Sequence, residues 1–253
     1  MKPIDGMSVL ITGGGSGIGA GAAEHLAGRG AQVTITGRRQ DRVDEVAAAL
    51  GDRCRAVAGD VTVAADRTAM IDAAVDHGGG LDALISNAGN MYRGPVDELD
   101  EQALLDVFHA NVVAGMMLVG ESLPHLRERQ GCVLFVGSVH TQRAFPGVAP
   151  YAATKGALEA LTGVLAAELG PQGVRVGCVR PGAVFTELNQ RAGLMGDDEA
   201  KARLEGLGSA HALGRIGTVT EIAEAFEYLM GAEWTTGSVL TVDGGLSLGI
   251  TNA

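Results

Sequence analysis

The chain has 253 residues, 46% of them apolar and only 4% aromatic, with a formal net charge of −11. That length fits one large α/β domain or two small ones, and a core of Ala, Val, Leu and Ile suits a parallel sheet covered by helices. The acidic balance argues against nucleic acid or an anionic membrane as partner, and no run of about 18 consecutive apolar residues implies a membrane span.

The start, MKPIDGMSVLITGGG, lacks the apolar core and cleavage site of a signal peptide and runs straight into a strand over 7–12. GGGSGIGAGAAEHLAGRG follows; Ile18, Ala22, His25 and Leu26 repeat at helical spacing and Gly30 stops the helix. A β-branched run, AQVTIT (31–36), predicts a second strand, and 39–50 predicts a helix. The run 54–61 reads as a third strand ending at Asp60, with a helix after it to about His77. LDALIS (81–86) is a fourth strand leading into Asn87-Ala88-Gly89. A long helical region covers 100–127, with a bend expected near Gly115 and Gly120 and Pro124 near its end. A strand over 132–138, a loop, and a helix from Pro150 to Leu169 follow. A strand over 173–182 ends at Pro181-Gly182. Residues 183–213 are poorly periodic. A helix over 221–230 and a strand over 238–245 complete the chain. Strands alternating with helices predict βαβ units and a doubly wound sheet. No repeat, low-complexity tract or linker divides 1–253, so one α/β domain with a seven-stranded parallel sheet and helices on both faces is expected.

The stretch 12–19, TGGGSGIG, lies between the first strand and the first helix, where a dinucleotide-binding loop belongs. Its glycines let backbone approach a pyrophosphate, and the helix N-terminus favours negative charge. The end of the second strand should meet the adenosine ribose. An acidic residue there binds a 2′-hydroxyl, whereas Arg accommodates a 2′-phosphate. The chain offers Gly37-Arg38-Arg39 and no carboxylate before Asp41. NADP(H) is therefore expected over NAD(H), with Arg38 the main phosphate contact. Asp60 is either an acceptor for the adenine amino group or a local cap for the next helix. Asn87 lies either beside the cofactor or in a turn.

Tyr151 and Lys155 stand four residues apart in YAATKGALEALTGVLAAEL, on one face of a helix and one turn apart. The chain has three Tyr and three Lys, the latter being Lys2, Lys155 and Lys201. An ammonium beside a phenol favours the phenolate, and a phenol so tuned both donates and accepts a proton near neutral pH. Ser138 ends the apolar run GCVLFVGS, where its hydroxyl could hold a substrate oxygen while Tyr151 delivers the proton. The three Cys (Cys54, Cys132, Cys178) are scattered in strand-like runs, which predicts buried free thiols in a reducing cytoplasm. The six His form no metal-ligating spacing, so no metal site is expected.

Over essentially its whole length the chain resembles the short-chain dehydrogenase/reductase family, of the roughly 250-residue cytosolic kind. TGGGSGIG is similar to the family's TGxxxGxG loop, Asp60-Val61 to its adenine-site pair and Asn87-Ala88-Gly89 to its strand-four motif. Asn111, Ser138, Tyr151 and Lys155 match its catalytic tetrad. PGAVFT (181–186), LGRIG (213–217) and VDGG (242–245) resemble its later motifs. The resemblance implies that Tyr151 is the general acid and base, that Lys155 lowers its pKa and binds the nicotinamide ribose, and that Ser138 orients the carbonyl. It implies that Asn111 holds a water relaying protons through Lys155, and that Thr186 bonds the nicotinamide carboxamide. Cofactor contacts follow at Gly13, Ser16, Gly17, Ile18, Gly19, Arg38, Asp60, Val61, Asn87, Ala88, Gly89, Pro181, Gly182 and Val184. A homotetramer is also implied, with helices 100–127 and 150–169 between subunits. Two departures stand out. Ser16 precedes the second motif glycine where NADP-preferring members often carry a base, and Ser86 replaces the first Asn of NNAG.

Residues 90–95, 139–148 and 183–213 are expected to line the substrate pocket, with 187–213 a lid and His140 and Gln142 the candidate substrate contacts. The SVH…P…YAA pattern is similar to the family's sugar and polyol dehydrogenases. The expected substrate is thus a small polar ketone or secondary alcohol. A 3-oxoacyl-carrier-protein reductase is the alternative, which the net charge disfavours because the carrier is acidic. A cofactor-binding regulator without catalysis is a further alternative, since fold does not fix function.

Overall fold

The computed structural model describes residues 1–186 and 206–249. Seven short apolar runs form β1 (Ser8–Thr12), β2 (Gln32–Gly37), β3 (Cys54–Ala58), β4 (Ala83–Ser86), β5 (Cys132–Val136), β6 (Arg175–Pro181) and β7 (Ser238–Val242). They make one sheet in the order β3-β2-β1-β4-β5-β6-β7, and every pair is parallel. Ile11, for example, pairs with Ile35 on one side and Ile85 on the other. The expected seven-stranded parallel sheet is the observed one.

Side chains alternate across a strand, and the core divides accordingly. Val9 and Ile11 of β1 face one layer, with Val33 and Ile35 of β2. Against them pack α1 (Gly17–Gly28) through Ala22, Ala23 and Leu26, α2 (Gln40–Leu50) through Val43, and the last helix. Leu10 of β1 faces the other layer. There α3 (Ala64–Gly78) contributes Met70 and Ile71, and two later helices complete the cover. Because both faces are covered, the strands read as continuous apolar runs rather than alternating ones.

The helical region after β4 is α4 (Glu101–Phe108), a π-turn over His109–Val113, and α5 (Ala114–Arg129). The bend expected at Gly115 and Gly120 is thus a π-turn one step earlier. An inserted residue in the i→i+4 ladder is a standard cause of a helix kink. Gly115 serves packing instead, since a Cβ there would stand 3.0 Å from Ser86 Oγ. Glu101–Arg129 is apolar and long enough by composition to cross a membrane, with a mean hydropathy of 1.6 over its best window. Its inner face packs Val107, Val112, Leu118, Val119 and Leu126 in the core, and Leu105, Val113, Met116 and Met117 are exposed on the other face.

α6 (Ala149–Leu169) lies on the same side of the sheet as α3 and α5, and α7 (Val219–Gly231) packs beside α1. A reciprocal capping box, Thr218 with Glu221, starts α7. The chain runs β1-β2-β3 outward in one direction and β4-β5-β6-β7 in the other. A crevice therefore opens beyond the carboxyl ends of β1 and β4, where an open α/β sheet receives its ligand.

Candidate active site

A cleft of about 700 Å³ occupies that crevice. Arg38, Asp60 and Val61 line it beyond β2 and β3, and Gly13, Ser16, Gly17 and Ile18 line it at β1. Ser138, Tyr151 and Lys155 share the same cleft with Pro181, Gly182, Val184 and Thr186. Its size suits a ligand of cofactor dimensions.

Two glycines shape the loop. Gly13 has φ +69°, a left-handed conformation that L side chains resist. Gly19, in the first turn of α1, is closed off: a Cβ there would fall 2.3 Å from Gly13 O and 2.6 Å from Asn87 Nδ2. Gly19 does not line the cleft; it allows α1 to sit tight against the loop, which leaves the helix N-terminus facing the cleft. Gly19→Ala should therefore cost about 1–3 kcal/mol as an overpacking change, read as a lower melting temperature, and should weaken NAD(P)H binding in a titration. Unchanged values for both would refute the packing argument.

Asn87 and Thr12 lock the ends of β4 and β1 together. Asn87 Nδ2 donates to Thr12 O (2.9 Å) and Gly13 O (3.1 Å), while Thr12 Oγ1 accepts from Asn87 N (3.1 Å) and Ala88 N (3.0 Å). Asn87 is therefore a clamp under the loop as well as a lining residue. Asp60 Oδ1 accepts from Thr62 N (2.9 Å) and Thr62 Oγ1 (2.8 Å), an Asx turn two residues past β3. It is not the cap of α3, which begins at Ala64 behind Val63. Partial burial pushes the Asp60 carboxyl up, but the Thr62 hydrogen bonds and the charges of Arg38 and His109 outweigh it, so its pKa is lowered.

At the other end, α6 carries Tyr151 and Lys155, which are 7% and 4% exposed. Lys155 Nζ donates to Val136 O at 2.8 Å and stands 5.5 Å from the Tyr151 ring centroid. Burial pushes the ammonium down to about 8. Burial likewise pushes the Tyr151 phenol up to about 12, with the Ser138 hydroxyl pulling the other way. This corrects the expected Lys-driven lowering. Desolvation favours the neutral form of both groups and is the largest cause of each shift. Ser138, 6% exposed, bonds His140 Nδ1 through Oγ at 2.8 Å.

Asn111 sits in the π-turn, 2% exposed, behind the cleft. Its Oδ1 accepts from Asn90 N (2.7 Å), and its Nδ2 donates to Asn90 O (2.9 Å) and Thr154 Oγ1 (3.0 Å). The side-chain amide thus clamps the chain after Gly89 to α6.

A family model described as enoyl-(acyl carrier protein) reductase matches residues 13–247. Dehydrogenase/reductase SDR family member 4 of Sus scrofa is 34% identical over 251 residues, covering 96% of this chain and 88% of that protein. The chain belongs to the short-chain dehydrogenase/reductase family. It is an NAD(P)-dependent oxidoreductase. Gluconate 5-dehydrogenase of Gluconobacter oxydans (strain 621H) is 34% identical over 257 residues, covering 98% of this chain and 97% of that protein. Among solved structures, 3-ketoacyl-(acyl-carrier-protein) reductase from Brucella melitensis, complexed with NADH, has a TM-score of 0.88 at 31% identity. The match covers 96% of this chain and 99% of that one.

For this short-chain dehydrogenase/reductase, the structure brings most of the expected residues to one cleft but not all. Gln142 is exposed and does not line it, because the turn after Ser138 carries His140 inward and Gln142 outward. Of the expected lid, 187–205 lies outside the described residues, and Leu207 of the remainder lines the cleft. Arg39, Arg42, Thr62, His109, Phe145 and Leu246 also line it without having been singled out as contacts. Arg39 and Arg42 carried a usable signal as further cations beside Arg38, and Phe145 lies in the segment 139–148 expected to line the pocket. A network of distant partners was also missed. Glu159 takes Arg180 Nε at 2.8 Å and Nη2 at 2.7 Å, and accepts Thr141 Oγ1 at 2.7 Å, tying β6 and α6 to the loop that carries Ser138.

Proposed function

We propose that this enzyme interconverts a small polar ketone and its secondary alcohol, with NADP(H) as the preferred cofactor and NAD(H) an alternative. The observation that carries the chemistry is the convergence of Ser138, Tyr151 and Lys155 in the cleft lined by the glycine loop. When bound, the nicotinamide supplies or accepts the hydride. Tyr151 gives its proton to the carbonyl oxygen in reduction and takes it back in oxidation. Ser138 holds that oxygen in reach, and Lys155 supplies positive charge beside the phenol and a donor to the nicotinamide ribose. Asn111 fixes the backbone after Gly89, and a water held there is the proposed link between Lys155 and solvent. Pro181, Gly182, Val184 and Thr186 are the proposed contacts of the carboxamide edge.

Cofactor preference rests on Arg38, supported by Arg39 and Arg42 in the same part of the cleft. A hydrogen bond to a charged group contributes about 1.5–3 kcal/mol. Arg38→Asp should thus lower kcat/KM for NADPH about 10–100-fold while NADH loses far less. Equal losses for both cofactors would overturn the preference.

Polar groups around the reacting end, Ser138, His140 and Asn90, support a sugar- or polyol-like substrate, as does the likeness to gluconate 5-dehydrogenase. Met91, Phe145, Leu207 and Leu246 in the same cleft favour the second reading, an acyl thioester reductase. Absorbance of the reduced nicotinamide, followed with sugars, polyols and acetoacetyl thioesters, separates them. Turnover of thioesters alone would reverse the assignment.

Residues 1–253 act as one catalytic unit in this reading, with 183–213 as the substrate loop. The exposed row Leu105 on α4, Val113 on the π-turn and Met116 and Met117 on α5, with Val164 on α6, supports a homo-oligomer, taken as a tetramer. Three buried unpaired thiols suit a cytoplasmic location.

A further inference from the structure

The Ser138 hydroxyl has one proton and two lone pairs, so its use in the cleft depends on what its other neighbours do. His140 approaches it twice. His140 N donates to Ser138 Oγ at 3.3 Å, and His140 Nδ1 lies 2.8 Å from the same oxygen. The imidazole is held in place by Phe145, with ring centroids 4.8 Å apart, and meets the Tyr151 ring edge-on at 5.6 Å. Two arrangements of protons satisfy the 2.8 Å contact. In one, Ser138 donates to a bare Nδ1 and has nothing left to give a substrate oxygen. In the other, Nδ1–H donates to Ser138, both lone pairs are filled by His140, and the hydroxyl proton turns to the cleft. Ser138 Oγ already accepts from His140 N, so a hydroxyl that gives its one proton to a substrate oxygen requires the second arrangement. Burial, with the charge of Arg93 beside it, pushes His140 down to about 4. The ring is therefore neutral near pH 7 and carries a single N–H, which the tautomer assigns to one nitrogen.

We propose that His140 is a positioning residue: as the Nδ1–H tautomer it donates to Ser138 Oγ and so leaves the one proton of Ser138 for the substrate oxygen. This rests on the proposed role of Ser138. It also moves His140 from a direct substrate contact to a residue that acts through another.

His140→Phe keeps a ring against Phe145 and Tyr151 and removes the nitrogen. It should lower kcat about 5–10-fold, the weight of one neutral hydrogen bond, with KM for the cofactor unchanged. His140→Asn carries an amide nitrogen in the position of Nδ1 and should recover kcat to within about 3-fold of wild type. In a Ser138→Ala background, His140→Phe should cause no further loss, because the two changes remove one interaction. A full additional loss in that background would overturn the proposal and return His140 to direct substrate contact. So would wild-type kcat in His140→Phe, or imidazole ¹⁵N shifts showing the Nε2–H tautomer at pH 7. Should the Phe variant not fold, His140→Asn against His140→Leu, a pair of similar size, repeats the comparison, and equal rates for the two would overturn it. If Ser138→Ala itself turns over at the native rate, the role of Ser138 falls and the inference with it. If Ser138→Ala is impaired and His140→Phe is not, only the inference falls.

Discussion

Tyr151→Phe should lower turnover about 10²–10⁴-fold, the span that a positioned acid or base supplies, while NAD(P)H binds within a few-fold of wild type. Tyr151 presents the one phenol that lines the described cleft, and it does so from the first turn of a 21-residue helix buried along one face. Removing its oxygen leaves the ring in its edge-on contact with His140, so the fold has little reason to change. Only the proton disappears. Burial pushes the phenol up to about 12, so it is protonated throughout the physiological range, as the proposed acid role requires. Ketone reduction should hence need no rise in pH. Alcohol oxidation needs the phenolate, whose fraction grows tenfold per unit below the pKa, so its kcat/KM should climb through pH 7–9 in wild type and stay flat in the Phe variant. Both slopes are read from initial rates at the reduced nicotinamide band. A Phe variant with native turnover would remove Tyr151 from the chemistry.

The legibility of this chain divides by the range of the interaction. Strand and helix identities were readable because each apolar run is local: VLIT, VTIT, CVLF and RVGCV all became strands within a residue or two. The glycine loop was readable for the same reason, since strand, loop and helix are adjacent in the chain. The π-turn was not, because nothing in FHANVV marks an extra residue; the bonds Asn111 makes there, to Asn90 and Thr154, run across the fold. The late motifs were recognised by likeness, and the structure supplies their physical use. Gly217 N bonds Ala183 O at 2.9 Å, Gly182 N bonds Val242 O at 2.9 Å, and Leu213 N bonds Gly244 O at 3.0 Å. Backbone of 213–217 and 242–245 thereby holds the 181–186 segment at the cleft. Such backbone stitching needs small residues but leaves no side-chain chemistry to read.

The sign of the Tyr151 shift is hidden from the sequence for a related reason. Spacing in a helix gives the distance between two groups and says nothing of the solvent around them. Four residues apart on an exposed face, Lys155 would lower the phenol. Buried at 4% exposure, it is itself pushed toward neutrality, and one of its three donors is held by Val136 O.

That burial makes Lys155→Met the most informative second test. Removing the ammonium takes away a charge beside the phenol and a donor proposed for the nicotinamide ribose. Hydrogen bonds to a charged group contribute about 1.5–3 kcal/mol each, so losing the charge and one such bond together should lower kcat/KM about 10²–10³-fold. Stability should move the other way. Met fills nearly the same volume without a charge to desolvate, and replacing a buried ion by an apolar side chain is often neutral or stabilising. The sign with pH is fixed by the shift. The folded pKa is about 8 and the ordinary one 10.5, so folding favours the neutral amine and the native cation is penalised below pH 8. As pH rises from 8 to 10.5 the unfolded chain still holds a proton that the folded one has released, and wild type regains stability. The stability advantage of the Met variant should therefore be largest below pH 8 and shrink steadily up to pH 10.5, measured by denaturant midpoints at several pH values. An advantage that grew over that interval would mean that Lys155 is stabilised as a cation, and the desolvated site described above would be wrong. A stable, cofactor-binding and nearly inactive Met variant is the outcome expected of a lysine kept in the core for its chemistry, at a cost in stability.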